Sequence, residues 1–229
     1  RDFGAIAKSA QGVADAIDTN VTNVAAVTDH GDIKIDDVSD LVVTTVVGRA
    51  FSLDLTTGSF GETNTGDVAT LSGVTITDTN GFGADAQDSG VDFIGLQAQG
   101  SITVAAGNAV RNLDAGNITL DANAGGVTLN AAVDSRNDGG VFTGTVRVSA
   151  AGDVTQSAAG NVTAATLGVR TTSGQVNLLT AQNDVNVLAI ATAGGDIGFR
   201  DADGFQLNLV GAQSNTMFDD SALFAVTSG

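Results

Sequence analysis

The residues able to do chemistry in this chain are its aspartates. Asp and Glu together number 26, and Glu62 is the only glutamate. Asp85, Asp88 and Asp92 fall in the stretch Asn80–Gly90 and just after it, where many glycines let carboxylates converge on a cation. A hard, oxygen-seeking ion such as calcium is the ligand those residue types would take. Asp201-Ala202-Asp203-Gly204 copies the opening of a calcium loop but lacks the later ligands, including the bidentate glutamate. Asp36, Asp37 and Asp40 occupy the matching stretch nearer the start, without that spacing. At every one of these positions a plainer role competes, because a short carboxylate in a turn bonds nearby backbone.

Paired carboxylates on one face also suit glycoside cleavage. Asp85 and Asp134 mark the loops where such a pair would be sought. The chain has no Trp and no Tyr, so the flat aromatic platforms that sugars favour are missing. His30 is the only histidine, beside Asp29. One histidine excludes a two-histidine metal site, and no nucleophile pairs with an identifiable base. The expectation is a protein without catalysis and without a cofactor, calcium at Asp85, Asp88 and Asp92 excepted.

The formal net charge is −17. Phosphate neutralisation needs Lys and Arg, so a nucleic-acid partner is not expected. Anionic membrane surfaces would repel the chain, and no apolar run is long enough to span a bilayer. Two lysines and seven dispersed arginines make no basic stripe. Cysteine is absent, which excludes disulfides and thiolate metal sites. Asn20, Asn117 and Asn161 each begin an Asn-X-Thr sequon, at predicted strand starts, where the repeat itself explains them.

What positions these residues is a repeat. Gly-Asp-Val-Thr starts at Gly152, Gly-Asn-Val-Thr at Gly160, Gly-Gln-Val-Asn at Gly174, Asn-Asp-Val-Asn at Asn183 and Gly-Asp-Ile-Gly at Gly195. After each turn, β-formers alternate with small or polar residues, which predicts a short strand with one buried face. Strands repeated without helices between them predict a solenoid that stacks on copies of itself. Absent proline suits unbroken ladders. A shift of 164 positions lays residues 20–47 over 184–211 without a gap, with Gly31, Asp32, Ile33 and Asp37 matching Gly195, Asp196, Ile197 and Asp201.

The pattern Asn-Asp-Val, Leu-Ala, Gly-Asp-Ile, Asp-Ala-Asp-Gly-Phe and Leu over 183–209 resembles the repeat region of large secreted bacterial adhesins of the filamentous-haemagglutinin type. The resemblance is strongest over 100–211. It implies a right-handed parallel β-helix, an extracellular or cell-surface location, and a host or neighbouring-cell surface as partner. The family's secretion domain is not recognisable here, so no residue supports an export route.

The fold predicted for 1–229 is therefore all-β: a single parallel β-solenoid. Residues 1–19 carry apolar residues at helical spacing and predict either a short cap helix or a first rung. Loops are predicted at 56–66, 80–90 and 133–140. Coils of about 20 residues stacking at about 4.8 Å give on the order of ten coils and a rod about 50 Å long. Repeats running toward both ends suit a stretch of a longer protein. Both end coils carry open strand edges. Those edges suggest an alternative to a passive shaft, a subunit that self-associates end to end.

Overall fold

The computed structural model describes residues 16–28, 31–47, 51–54, 59–62, 70–77, 92–114, 116–136, 140–141, 143–214, 219–224 and 226–228. They are all β, with no helix, and the large parallel sheet curls about 313° round an axis, as in a β-solenoid. Each coil has three faces, so three strand positions per turn.

The strands follow the chain coil by coil. The first coil holds β1 (Ile17–Thr19), β2 (Asn23–Val24) and β3 (Ala26–Thr28), one on each face. The second begins with β4 (Ile33–Asp37) and β5 (Leu41–Val43). It then leaves the stack as antiparallel arms: β6 (Thr45–Val47) and β7 (Phe51–Asp54) run out, and β8 (Ser59–Glu62) and β9 (Thr70–Ser72) run back. β10 (Val74–Ile76) completes the third face. The third coil is β11 (Ile94–Ala98), β12 (Ile102–Val104) and β13 (Val110–Asn112); the fourth is β14 (Ile118–Ala122), β15 (Val127–Leu129) and β16 (Val133–Asp134).

From there the corners tighten and strands run through them. β17 (Thr145–Ala150) and β18 (Val154–Gln156) are followed by β19 (Val162–Thr171), which spans the third face and the next first face. β20 (Val176–Thr192) serves the second, third and first faces in turn. β21 (Ile197–Asp201) closes the seventh coil. An eighth begins on the first face with β22 (Gln206–Leu207), breaks off into β23 (Leu209–Val210), β24 (Gln213–Ser214), β25 (Asp219–Asp220) and β26 (Leu223–Phe224), and resumes as β27 (Val226–Ser228). Among the described residues, seven spacings of about 4.8 Å make roughly 35 Å of stack.

Stacking dictates the core. On the first face Ile33, Ile94, Ile118, Val146, Leu167 and Leu188 lie one above another, as do Ile35, Leu96, Leu120, Val148, Val169 and Ile190. The second face stacks Leu41, Ile102, Val127, Val154 and Val176, and the third Ala26, Val74, Val110, Val133 and Val162. All are buried. β-Branched residues pack well on such pleated columns, and each large apolar side chain fully buried contributes about 1.5–3 kcal/mol. Gly152, Gly174 and Gly195 stack at the corner between the first and second faces. A Cβ on Gly174 would run into the carbonyl of Gly152, so only glycine lets those backbones approach.

Of the two expectations for 1–19, Ile17–Thr19 takes the rung, as a strand paired with β4, while residues 1–15 lie outside the described set. Three sequence expectations change. Within the predicted loop 56–66, Ser59–Glu62 is a strand paired with Phe51–Asp54. In the predicted loop 133–140, Val133–Asp134 is the third-face strand β16 with Val133 in the core. Asn183, expected at a turn, sits inside β20 and is fully buried. The loop 80–90 lies outside the described residues. The 164-residue shift pairs strand with strand but does not keep their faces: Leu41–Val43 on the second face meets Gln206–Leu207 on the first. Ala26–Thr28 and Ile33–Asp37 lie on the third and first faces, whereas Ile190–Thr192 and Ile197–Phe199 lie on the first and second.

Candidate functional site

The corners gather many of the aspartates, and there several accept a backbone N–H of an adjacent coil. Gly31 donates to Asp92 Oδ2 at 2.6 Å and Phe93 to Asp32 Oδ1 at 2.9 Å. The N–H of Asp92 donates to Asp114 Oδ2 at 2.7 Å, and Ser101 to Asp40 Oδ1 at 2.7 Å. Gln175 donates to Asp153 Oδ1 and Thr145 to Asn117 Oδ1, both at 2.9 Å. Parallel strands stop at a corner, so backbone groups there lose their ladder partners. A carboxylate one methylene from the chain replaces them. This explains why aspartate is so abundant and glutamate almost absent.

Of the proposed calcium ligands, Asp85 and Asp88 lie outside the described residues. Asp92 is a corner residue whose carboxylate takes the Gly31 N–H, with its own carbonyl accepting from Asn112 Nδ2 at 2.8 Å. Among the described residues no group of three or more His, Cys, Asp or Glu could hold a metal ion. Asp201 folds its own turn: Oδ2 accepts from the N–H of Gly204 at 2.9 Å, and Oδ1 from Val185 at 3.2 Å. His30 and Asp29 lie outside the described residues.

Asp37 is the deepest of the acids, fully buried in the column that continues as Ala98, Ala122 and Ala150. Its carboxylate accepts from Thr19 Oγ1, Val21 N, Ser39 N and Ser39 Oγ at 2.6–2.9 Å. Burial pushes its pKa up, but those four bonds outweigh burial and hold it below the ordinary carboxylate value. Neighbouring Asp36 goes the other way, raised by burial and by Asp18 and Asp37.

On the outer side of the third face, Arg111, Asp134, Thr163 and Asp184 form one column. Arg136 grips Asp134 through both nitrogens, Nε to Oδ1 at 2.9 Å and Nη2 to Oδ2 at 2.7 Å. Asp184 is raised by burial and by Asp203 and Asp201. The carboxylate singled out as a glycosidase candidate is therefore tied to an arginine.

Three features escaped the sequence. Gln156 and Asn183 form a polar pair inside the core. Gln156 Nε2 donates to Asn183 Oδ1 at 3.0 Å, and Asn183 Nδ2 to the carbonyls of Leu178 and Arg200. Arg147 is buried on the outer side of the first face. The segment 209–224 is an antiparallel hairpin folded back over that face. Thr119 Oγ1 donates to Gln213 Oε1 at 2.9 Å, and Arg170 Nη2 to Ser221 Oγ at 2.7 Å. Val210 and Leu223 bury against Ala189 and close over Gly168. A signal was present at Gly168: a glycine between Leu167 and Val169 in a strand marks a close backbone approach.

No family model, no curated protein and no solved structure matches the chain.

Proposed function

We propose that this chain is a non-catalytic β-solenoid shaft of an extracellular, cell-surface adhesive or filamentous protein of the bacterial adhesin kind. The observation that carries this reading is the use made of the carboxylates. The corner residues Asp32, Asp37, Asp40, Asp92, Asp114 and Asp153 each hold backbone of an adjacent coil. Polar chemistry spent on stacking suits a part whose work is to be long and stiff. Ligands then belong to loops or to other parts of a larger protein.

A second reading is a subunit joined head to tail. It is favoured by the last rung, where Leu207 and Val226 continue the first-face core columns yet are 55% and 39% exposed. The polysaccharide-active reading centres on Asp134 and Asp184, two rungs apart on one face.

Negative-stain electron microscopy across a concentration series, with intact mass on the same sample, tests the proposal. Short isolated rods, or a long rod from a longer parent chain, are expected for a shaft. Filaments from chains of this size would replace it with the head-to-tail reading. Cleavage in a glycan panel that is lost in Asp184→Asn would overturn both.

A further inference from the structure

On the outer side of the first face, Asp18, Asp36, Gln97, Asp121, Ser149 and Arg170 lie in one column, one residue to a coil. Most steps set a carboxylate against a neutral partner: Gln97 Nε2 donates to Asp121 Oδ2 at 3.0 Å, and Ser149 separates Asp121 from Arg170. On the third face Thr163 likewise separates Asp134 from Asp184. The step from β1 to β4 breaks this rule. Among the ladder pairs of the described residues, only Asp18 and Asp36 set carboxylate directly against carboxylate. Like charges directly opposed on neighbouring strands weaken the pairing.

The surroundings of Asp36 sharpen the conflict. Its Oδ1 is buried and has no hydrogen-bond partner. On its own strand Lys34 is ion-paired to Asp32 at 2.6 Å, and the Asp37 carboxylate is taken up by Thr19, Val21 and Ser39. From β1 it faces the exposed Asp18, and from β11 the neutral Gln97. A buried carboxylate oxygen that accepts no bond is costly while it carries charge. A protonated carboxyl has an O–H to give, and here the nearest acceptor is another carboxylate.

We propose that Asp18 and Asp36 form an acid-operated clasp between the first and second coils. With both carboxylates ionised, the contact pushes the coils apart. Once Asp36 takes up a proton, its carboxyl donates to the Asp18 carboxylate and the same contact holds the coils together. A hydrogen bond with one ionised partner is of the stronger kind.

The direction of the effect follows from the titration. Burial, Asp18 and Asp37 raise the Asp36 pKa above the ordinary carboxylate value. A raised carboxyl weakens the folded joint at neutral pH, and that penalty is relieved as pH falls through the raised value to the ordinary one. Asp37 works in the opposite sense, and its contribution is lost only below the ordinary value. The joint between the first two coils is therefore firmest near the ordinary carboxylate value and looser on either side.

Hydrogen exchange of the full chain tests the clasp, read as protection of 17–19 and 33–37 relative to 118–122 and 145–150. From neutral pH down to the ordinary carboxylate value, relative protection should rise about two- to fivefold, the size of one cross-strand charge pair. Asp36→Asn, which keeps the shape and removes the charge, should start from the higher level and stay flat. Asp18→Asn should show a smaller rise at lower pH, because burial and Asp37 still act on Asp36. Carboxyl-carbon NMR of the unsubstituted chain follows Asp36 directly, whether or not either variant folds, and should find it titrating above the ordinary value. A flat or falling exchange profile in the unsubstituted chain, a rise that survives Asp36→Asn, or an Asp36 carboxyl titrating at or below the ordinary value would each overturn the clasp.

Discussion

Two antiparallel excursions interrupt this rod, and their described residues are buried to different extents. The hairpin 209–224 presses Val210 and Leu223 onto the outer side of the first face. The arms 45–72 leave between the second and third faces. Among their described residues Val47 is 55% exposed and Thr45, Ser72 and Thr70 are also exposed. The arms are anchored near their base by Thr45 Oγ1 to Asn108 Oδ1 at 2.8 Å. Both are built from similar β-formers, so the hairpins do not explain the difference. The landing surface does. Gly168 and Ala189 supply a shallow apolar seat in the outward column, flanked by Thr119 and Arg170 as donors.

The contrast breaks most sharply at Leu223. Leu223→Ala removes a buried side chain from a small cluster and is expected to cost about 2–3 kcal/mol. Hydrogen exchange should show amides of 209–224 opening while coils three to five stay protected. Gly168→Val attacks the seat instead. Its Cβ alone would lie 3.1 Å from Leu223 Cδ1 and Val210 Cγ1, and overpacking there should cost about 1–3 kcal/mol. The same exchange signature is expected, with no change in 45–72.

Acid should reverse the order of the two regions. The coil that bears the 45–72 arms depends on the Asp37 carboxylate. Its folded pKa is lowered, so its contribution is present above the ordinary carboxylate value and is lost as pH falls through the folded value. Below the ordinary carboxylate range, exchange is expected to rise first around β1, β4 and the base of the arms, ahead of 209–224. Asp37→Asn should remove most of that difference. Arg170→Ala, which deletes an exposed bond to Ser221, should cost about 0.5 kcal/mol and shift only the hairpin tip. Val47→Ser, at an exposed position of the arms, should change the melting temperature within error, as surface substitutions do.

These regions also show what could be read in advance. Period-two alternation located Ile94–Ala98, Ile118–Ala122 and Thr145–Ala150, because a buried face imposes it locally. It could not say that three strands make a coil, since corners as tight as that within β19 carry no turn signal. It assigned aspartate to turns, and the side chains do sit there, but their partners belong to the adjacent coil, a relation that spacing along one chain does not reveal. Ser59–Glu62 reads as loop along the sequence because it is rich in turn formers, and β8 owes its conformation to pairing with Phe51–Asp54. Gln156 and Asn183 interrupt apolar columns, and each is acceptable only because the other is within hydrogen-bond reach.

The corner bonds have a mechanical consequence. Tension along the axis would load the strands of one rung interface together, and with them clips such as Asp40–Ser101 and Asp153–Gln175. No single bond would be unzipped ahead of the others, as happens when a hairpin is peeled from its end. Such a rod would resist stretch until a whole interface gave way, then lengthen by one released coil at a time. A force–extension trace would therefore be a staircase whose steps follow coil length.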